Sequence, residues 1–332
     1  MTKIAILGAG SIGCWLGGHL IHGGAQVTLI GRARYAAQIA EHGLRLTHFE
    51  REPIHCAEVD FRNEAQGLKG ADIIGLCVKS QDTESAAQQI LTHAPDAIVV
   101  SFQNGIRNPE TLRAVLPPEN IVPAIVPFNV TPTQPGAFHC GTAGDLVVDD
   151  HAGIAPLVTG LEAAGQGVRR SDQIIGDQWA KMIVNLNNGL NTLTGGTLRE
   201  GLLQRDYRRA LAGCVEEAMG VAKANGVKVG NFNGRSPTAL VKTLRLPDVA
   251  YRIIMQTVVK IDAKARSSML DDLEAGRVSE VDYLQGEIVK QALRAGVAAP
   301  KNAAILAAVE QAFDAGKSPN LSGADILNLL KK

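Results

Sequence analysis

Apolar, β-branched runs alternate with segments of helical period in the first half of the chain. Helical segments such as 15–21 and 83–90 lie between runs at residues 3–7, 27–30, 72–78, 97–102 and 121–128. This alternation predicts βαβ units, and hence a mostly parallel, doubly wound sheet with helices on both faces. Two further short runs, at 136–139 and 145–148, predict an antiparallel extension of that sheet.

The second half of the chain shows helical spacing and no strand pattern. Residues 174–193, 206–224, 251–273, 281–295 and 300–315 each place apolar side chains at intervals of three and four. The pattern changes near residues 166–172. We therefore expect an α/β domain over residues 1–171 and an all-α domain over residues 172–332.

Composition narrows the classes of partner. Lys and Arg together number 33, as do Asp and Glu, so the formal net charge is zero. No basic run provides an electrostatic footprint for nucleic acid. The five cysteines form no CxxC pair, so neither a disulfide framework nor a metal site of the zinc type is predicted. These features favour a cytoplasmic protein with no nucleic-acid partner.

Residues 4–31 carry no Asp, Glu, Lys or Arg and have the apolar character of a membrane span. They also contain eight glycines, which cost too much helix propensity for a transmembrane helix. We therefore expect no membrane partner and interpret this stretch as the first βαβ unit.

A glycine-rich loop directly follows the first predicted strand and opens the first helix. Its residues are Gly8, Ala9, Gly10, Ser11, Ile12 and Gly13. In a strand–turn–helix context, GxGxxG favours a Rossmann-type dinucleotide site, because the backbone meets a pyrophosphate at the helix N-terminus. The alternative is a glycine-rich turn in an ordinary sheet.

The end of the second strand decides which dinucleotide is favoured. An NAD site places Asp or Glu there to accept from the ribose 2′-hydroxyl, yet no acid occurs between Gln26 and Arg34. Arg32 is instead placed to pair with a 2′-phosphate. The sequence therefore favours NADP, used as NADPH.

Further motifs follow along the chain and carry a resemblance. They are Val78-Lys79-Ser80, Gln103-Asn104-Gly105, Trp179-Ala180-Lys181-Met182-Ile183-Val184-Asn185, Ser267-Ser268-Met269-Leu270-Asp271-Asp272 and Glu280-Val281-Asp282-Tyr283. With these blocks and the glycine loop, the chain resembles the ketopantoate reductases (2-dehydropantoate 2-reductases) almost end to end. The resemblance implies NADPH-dependent reduction of a 2-keto acid, first of all 2-dehydropantoate to pantoate in pantothenate and coenzyme A biosynthesis.

The resemblance also implies the roles of individual residues. Lys181 would be the general acid, assisted by Glu280. The substrate would be bound by Asn104, Asn185, Asn188 and Ser268, and the cofactor by the glycine loop, Arg32, Lys79 and Asn104. Whether Lys79 contacts cofactor phosphate or the substrate acid stays open, as does assembly into a homodimer.

Spacing in the predicted helices bears on three of these residues. Lys181 and Asn185 are four apart and share a helix face, and Asn188 falls close to the same stripe. Apolar neighbours on the remaining faces would partly desolvate the lysine and make its pKa tunable. The alternative is a lysine on a solvated helix face.

For Ser268 and Glu280 the sequence predicts two helices joined by a turn at Gly276, with Glu280 in the first turn of the second helix. Structural alternatives exist for both residues. Glu280 after a capping Ser279 stabilises a helix terminus, and the Ser268 hydroxyl bonds its own helix backbone.

The chain departs from the family pattern at Gly189, where many relatives carry an asparagine eight residues after the lysine. The identity of the 2-keto acid therefore stays open, and another branched 2-keto acid is an alternative substrate. A β-hydroxyacid dehydrogenase is a second alternative, although the glycine-rich turn that precedes the lysine there is reduced here to Gly176. A non-catalytic NADPH-binding sensor is a third.

Overall fold

The computed structural model describes residues 2–232, 234–257 and 265–331, without the side chains of 255–257. Contacts divide the chain into two compact units, Met1–Ile174 and Ile175–Lys332, here called unit 1 and unit 2. Each unit is described by itself below.

Unit 1 alternates strands and helices as its periodicity predicts. The strands are β1 (Lys3–Leu7), β2 (Gln26–Ile30), β3 (Leu44–His48), β4 (Ile54–Cys56), β5 (Asp60–Arg62), β6 (Ile73–Leu76), β7 (Ile98–Ser101), β8 (Ile121–Ile125), β9 (Val130–Gln134), β10 (Ala137–Cys140), β11 (Leu146–Asp149) and β12 (Val168–Ser171). The helices are α1 (Ser11–His22), α2 (Ala33–His42), α3 (Thr83–His93), α4 (Asn108–Arg113) and α5 (Ala155–Ala163).

The main sheet of unit 1 has the strand order β12-β11-β8-β7-β6-β1-β2-β5. Its pairs are parallel except β8 with β11. Alternate residues of β1 enter two cores, since Ile4 and Ile6 face one side of the sheet while Ala5 and Leu7 face the other. The predicted mostly parallel, doubly wound sheet with an antiparallel extension is confirmed.

One detail of that prediction is wrong. The strand predicted at 136–139 exists as β10, but it belongs to a second sheet of order β4-β3-β10-β9. There it pairs in parallel with β3, with Phe138 opposite Leu46. β3 alternates buried Leu44 and Leu46 with exposed Arg45 and Thr47. It has only five residues, and so short an alternation does not by itself predict a strand.

Helix α1 accounts for the uncharged stretch near the N-terminus. Residues from Gly13 to Leu20 of this helix are buried. A Cβ on Gly17 would collide with Leu29 of β2, and one on Gly18 would lie 2.6 Å from Leu46 of β3. The glycines therefore let α1 pack closely between the two sheets. Within the described ranges, no helix is both long and apolar enough to cross a membrane.

All five cysteines are free. Cys14 of α1 and Cys214 of unit 2 are fully buried, and burial raises the pKa of the Cys14 thiol to about 12. Burial likewise raises the pKa of the Cys214 and Cys77 thiols well above their ordinary value. These thiols are therefore held in the neutral, unreactive form.

Unit 2 is helical, and its described residues form no strand beyond an isolated bridge between Phe232 and Arg235. Its helices are α6 (Ile174–Asn185), α7 (Asn187–Thr194), α8 (Leu198–Leu203), α9 (Arg205–Ala224), α10 (Pro237–Leu244), α11 (Asp248–Thr257), α12 (Ser268–Glu274), α13 (Gln285–Arg294), α14 (Pro300–Asp314) and α15 (Gly323–Leu329). The expected α/β plus all-α organisation is confirmed.

Three of the predicted helices are divided, which corrects the sequence interpretation. The helix predicted over 174–193 breaks at Leu186, where α6 ends and α7 begins. The one predicted over 251–273 becomes α11 and α12, and its part at 258–264 lies outside the described residues. The one predicted from 281 begins as a 3₁₀ turn, Val281–Tyr283, before α13. Each apolar period continues through its break, so periodicity alone does not reveal it.

Candidate active site

The glycine loop is shaped by close backbone packing at its two ends. Gly8 has φ +98°, and a Cβ there would collide with the backbone of Cys77 and Val78. A Cβ on Gly13 would overlap the carbonyl oxygen of Gly8. The Gly8 and Ala9 N–H groups both donate to the Ile30 carbonyl, at 2.9 and 2.8 Å. The fold itself therefore requires glycine at positions 8 and 13.

The middle glycine of the loop has a different environment. A Cβ on Gly10 would meet nothing nearer than the Gly8 carbonyl oxygen, 4.0 Å away, so packing within the protein does not demand glycine. Gly10 is the N-cap of α1, and Cys14 donates the first intrahelical bond to its carbonyl at 2.8 Å. The N–H groups of residues 11–13 precede that bond, and no acid lies in the first turn. An open backbone at a positive helix terminus fits a pyrophosphate.

The end of β2 carries arginine where an NAD site carries an acid. Arg32 is exposed and precedes α2. The acid nearest in the sheet, Asp60 of β5, accepts from the Thr28 hydroxyl at 2.9 Å and pairs with Arg62 at 2.6 Å. Arg62 lies opposite Ile30, and its backbone carbonyl accepts from the Gly31 N–H at 3.0 Å. Sequence reasoning missed this second arginine, because only strand pairing brings it to the end of β2.

Lys79 and Asn104 follow β6, the parallel neighbour of β1, and β7, which pairs in parallel with β6 on its other side. Both residues are half-buried. With the glycine loop after β1 and Arg32 after β2, they lie at the carboxyl ends of four neighbouring strands. This is the edge at which open α/β sheets bind ligands.

A buried polar network joins the loops that carry Lys79 and Asn104. The Asn108 side chain donates to the Asn104 carbonyl at 2.7 Å and to the Ser80 hydroxyl at 3.1 Å. The Gln103 carboxamide donates to the Val78 carbonyl at 3.1 Å and to the Thr83 hydroxyl at 2.8 Å. Ser80, Thr83, Gln103 and Asn108 are all buried. The network therefore fixes the two loops relative to each other.

In unit 2, Lys181 is half-buried on α6 among the buried residues Ala180, Met182 and Ile183. Burial lowers the pKa of its ammonium to about 8, and the negative charge of Glu280 partly opposes that shift. Glu280 is itself 9% exposed. The fold therefore places a partly desolvated cation within the field of a buried carboxylate, which argues against a solvated helix face.

Lys181 and Asn185 lie four residues apart on α6 and share a helix face as predicted, but Asn188 does not continue that face on the same helix. Asn185 ends α6, and Asn188 lies in the first turn of α7, beyond the break at Leu186. Both side chains are half-buried. The Asn188 carbonyl accepts from the hydroxyls of Thr192 at 2.9 Å and Ser267 at 3.4 Å.

The N-cap of α12 is Ser267, not Ser268. The Ser267 hydroxyl accepts from the Leu270 N–H at 3.2 Å, and its own N–H donates to the buried Asn191 side chain at 2.9 Å. Ser268 is the first residue of α12 and is exposed. Within the described part of the chain its hydroxyl makes no hydrogen bond. The structural alternative for Ser268, a hydroxyl bonded to its own helix backbone, is therefore not observed.

Glu280 is not in the first turn of an α-helix as predicted. The turn at Gly276 is present, with φ +61°, but Glu280 directly precedes the 3₁₀ turn Val281–Tyr283. The Ser279 hydroxyl accepts from the Val281 N–H at 3.1 Å. Glu280 therefore does not stabilise the start of an α-helix, since α13 begins only at Gln285.

Gln285 is a residue that sequence reasoning missed. It is fully buried, and its side-chain N–H donates to the Leu186 carbonyl at 2.7 Å, at the break between α6 and α7. A Cβ on Gly189 would lie 2.8 Å from the Gln285 nitrogen. The available signal was Gly189 itself, because a glycine inside a helix costs about 1 kcal/mol relative to alanine and needs a reason.

Comparison with known proteins covers both units. The family model described as ketopantoate reductase PanE/ApbA matches residues 4–153, and the model of its C-terminal part matches residues 173–312. A 2-dehydropantoate 2-reductase from Pyrococcus horikoshii is 28% identical, over 93% of this chain and 96% of its own.

Solved structures agree with the family models. A PanE/ApbA family ketopantoate reductase from Ralstonia eutropha JMP134 is 32% identical, with a TM-score of 0.81 over 95% of this chain and 99% of its own. A D-mandelate dehydrogenase with NADH and anilino(oxo)acetate shares the fold at 23% identity, with a TM-score of 0.80 over 95% and 99% of the two chains. The chain thus belongs to the ketopantoate reductase family.

Proposed function

We propose that this protein reduces a 2-keto acid with NADPH, and that 2-dehydropantoate (ketopantoate), reduced to pantoate, is the first substrate to test. The observation that carries the proposal is Lys181, a lysine whose ammonium is partly desolvated beside the buried carboxylate of Glu280. The relatives named 2-dehydropantoate 2-reductase support the same reaction. The product would enter pantothenate and coenzyme A biosynthesis.

The dinucleotide would be held by the α/β domain predicted over residues 1–171, which lies within unit 1. The open Gly10 and the first turn of α1 would take the pyrophosphate. Arg32 would pair with the 2′-phosphate, which is why we propose NADPH and not NADH. Lys79 and Asn104 would contact the cofactor farther along the same sheet edge. When bound, the nicotinamide supplies the hydride.

The helical unit, residues 172–332, would supply the proton and hold the substrate. Below its pKa, Lys181 carries an ammonium that can donate a proton to the carbonyl oxygen and stabilise the developing negative charge there. Glu280 favours the charged form of that lysine. A partly desolvated ammonium with a pKa lowered to about 8 is suited to this role.

Several polar side chains would orient the 2-keto acid. Asn104, Asn185 and Asn188 are half-buried amides that would hydrogen-bond the keto and hydroxyl oxygens. The exposed Ser268 hydroxyl would bind the carboxylate or the hydroxyl. Lys79 is the second cation available for the substrate carboxylate if cofactor phosphates do not occupy it.

One observation favours a different 2-keto acid as the second candidate substrate. Gly189 provides no side chain, and the Gln285 carboxamide lies where one would begin. Another branched 2-keto acid would then be preferred to ketopantoate. Cytoplasmic location and a homodimer belong to the same proposal, and light scattering of the purified protein tests the assembly.

The test is a spectrophotometric assay of NADPH oxidation, with ketopantoate beside other branched and aromatic 2-keto acids. We expect the highest kcat/KM with ketopantoate, and a preference for NADPH over NADH. Oxidation of 3-hydroxy acids without any 2-keto acid reduction would instead identify a β-hydroxyacid dehydrogenase. NADPH binding without consumption across the whole panel would identify a sensor.

A further inference from the structure

At the break between α6 and α7, a backbone carbonyl accepts a hydrogen bond from a side chain that is distant in the sequence. The Leu186 N–H is shared between the carbonyls of Met182 and Ile183, at 3.1 and 3.3 Å. The Leu186 carbonyl accepts from the Gln285 carboxamide at 2.7 Å, in a buried setting. The helix that carries Lys181 is thus tied at its C-terminal end to the first residue of α13.

This hydrogen bond joins the two segments that hold the proposed acid and its carboxylate. Lys181 lies five residues before Leu186, and Glu280 lies five residues before Gln285. The 3₁₀ turn Val281–Tyr283 makes the second connection short and tightly wound. A displacement at Gln285 is therefore transmitted over a few residues to Glu280.

Gly189 makes room for the carboxamide. A Cβ at this position would lie 2.8 Å from the Gln285 nitrogen and 3.0 Å from both the side-chain oxygen and carbon. Real Cβ atoms do not approach that closely, so any side chain at 189 would displace the amide. The position of the Gln285 carboxamide therefore depends on glycine at position 189.

The Gln285 side chain also keeps a buried acceptor unused. Its oxygen is inaccessible to solvent and has no hydrogen-bond partner in the described part of the chain. A buried polar group in that state is costly and calls for a compensating role. A packing role alone would be met by leucine or methionine without that cost.

We propose that Gln285 is a positioning residue, whose carboxamide, seated over Gly189 and bonded to the Leu186 carbonyl, sets the separation of Lys181 and Glu280. This inference rests on the function proposed above. It predicts that the Gly189–Gln285 pair controls turnover although neither residue supplies a proton to the substrate.

The test compares Gln285→Met, which keeps the volume and removes the donor, with Gly189→Ala, which displaces the amide and leaves Gln285 intact. We expect each to lower kcat by about 10- to 100-fold, with the KM for NADPH unchanged. In a Gln285→Ala background, Gly189→Ala should cost nothing more, because the added methyl fills the vacated space. The control is Gln291→Met, a buried glutamine of the same helix that donates to Glu287 at 2.8 Å.

A second readout does not depend on turnover. The Lys181 amine can be titrated by NMR in protein with labelled lysine side chains. Loosening the Glu280 segment should lower the Lys181 pKa in Gln285→Met and leave it unchanged in Gln291→Met. An unchanged Lys181 titration in Gln285→Met, or an equal loss of kcat in the control, would overturn the inference. Absence of keto acid reduction by the unsubstituted protein would instead reject the proposed function, and the titration would still decide the role of Gln285.

Discussion

The Asn108 side chain donates to the Asn104 carbonyl at 2.7 Å and ties two loops of unit 1 into one rigid edge. Replacing Asn108 with alanine should lower the free energy of unfolding by about 1–3 kcal/mol, because buried polar groups of the network then lose their hydrogen-bond partner. If Lys79 and Asn104 contact the cofactor, the KM for NADPH should rise as well. Thermal unfolding and steady-state kinetics measure the two effects.

The control for Asn108 is Asn120→Ala. The Asn120 side chain donates to the Asp96 carbonyl at 3.3 Å in an exposed setting, so its loss should change the free energy of unfolding by less than about 0.5 kcal/mol. An Asn108 variant as stable as this control, with unchanged KM, would show that the network does not position the loops.

The glycine loop offers a test that separates ligand binding from folding. Gly10→Ala should change the free energy of unfolding by less than about 1 kcal/mol, since its Cβ meets open space. Dinucleotide affinity should still fall by about tenfold or more, because the methyl group stands where the pyrophosphate approaches. Gly13→Ala should instead cost about 1–3 kcal/mol of stability by overlap with the Gly8 carbonyl. Isothermal titration and thermal unfolding distinguish the two, and unchanged affinity in Gly10→Ala would contradict the assignment.

Arg32 is expected to determine the choice between NADPH and NADH. Losing a charged hydrogen bond worth about 1.5–3 kcal/mol should raise the KM for NADPH by roughly 10- to 100-fold in Arg32→Ser and leave that for NADH unchanged. Arg34→Ser is the matched control, since Arg34 lies over the Tyr35 ring at 4.7 Å and its effect should be smaller. An equal change for both cofactors in Arg32→Ser would show that Arg32 does not read the 2′-phosphate.

Lys181→Met should lower kcat for 2-keto acid reduction by about 10²- to 10⁴-fold and leave the dissociation constant for NADPH unchanged. Lys181→Arg keeps the positive charge but holds its proton too tightly to donate it, so we expect intermediate activity. Single-turnover kinetics and fluorescence titration of NADPH make the measurement. Full turnover in Lys181→Met would eliminate this lysine as the general acid.

The pH dependence of kcat/KM follows from the same lysine. Its pKa is lowered to about 8 by burial, so the ammonium that donates the proton is present below that pH and is lost above it. Reduction should therefore fall about tenfold per pH unit on the alkaline side. Glu280→Gln removes the charge that favours the ammonium, so the alkaline limb should move to lower pH. A limb that stays in place in Glu280→Gln would mean that another group titrates.

Local patterns predicted the parts of the site that depend on neighbours in the chain. The glycine loop follows a strand and opens a helix, so its position at the sheet edge with Lys79 and Asn104 could be inferred from the strand pattern. The break at Leu186 could not, because apolar spacing continues from Ile183 through Leu190 and the break involves a side chain 99 residues away. Buried polar residues such as Gln285 carry no periodic signal, since a glutamine on an amphipathic helix is usually solvated.

The small sheet was missed for a related reason. The pairing of β3 with β10 joins residues about 90 apart, as the contact between Thr47 and His139 shows. Neither strand is long, and each alternates for only four residues. Their common core exists only once both are in place, so neither segment alone predicted the second sheet.

The buried, protonated cysteines give the native chain an internal reporter. Thiol reagents attack the thiolate, so Cys14 and Cys214 should react only when the surrounding helices open. Because the first belongs to unit 1 and the second to unit 2, mass spectrometry after brief alkylation would time the opening of each unit separately. Labelling kinetics would then tell whether dinucleotide protects one unit from transient unfolding or both.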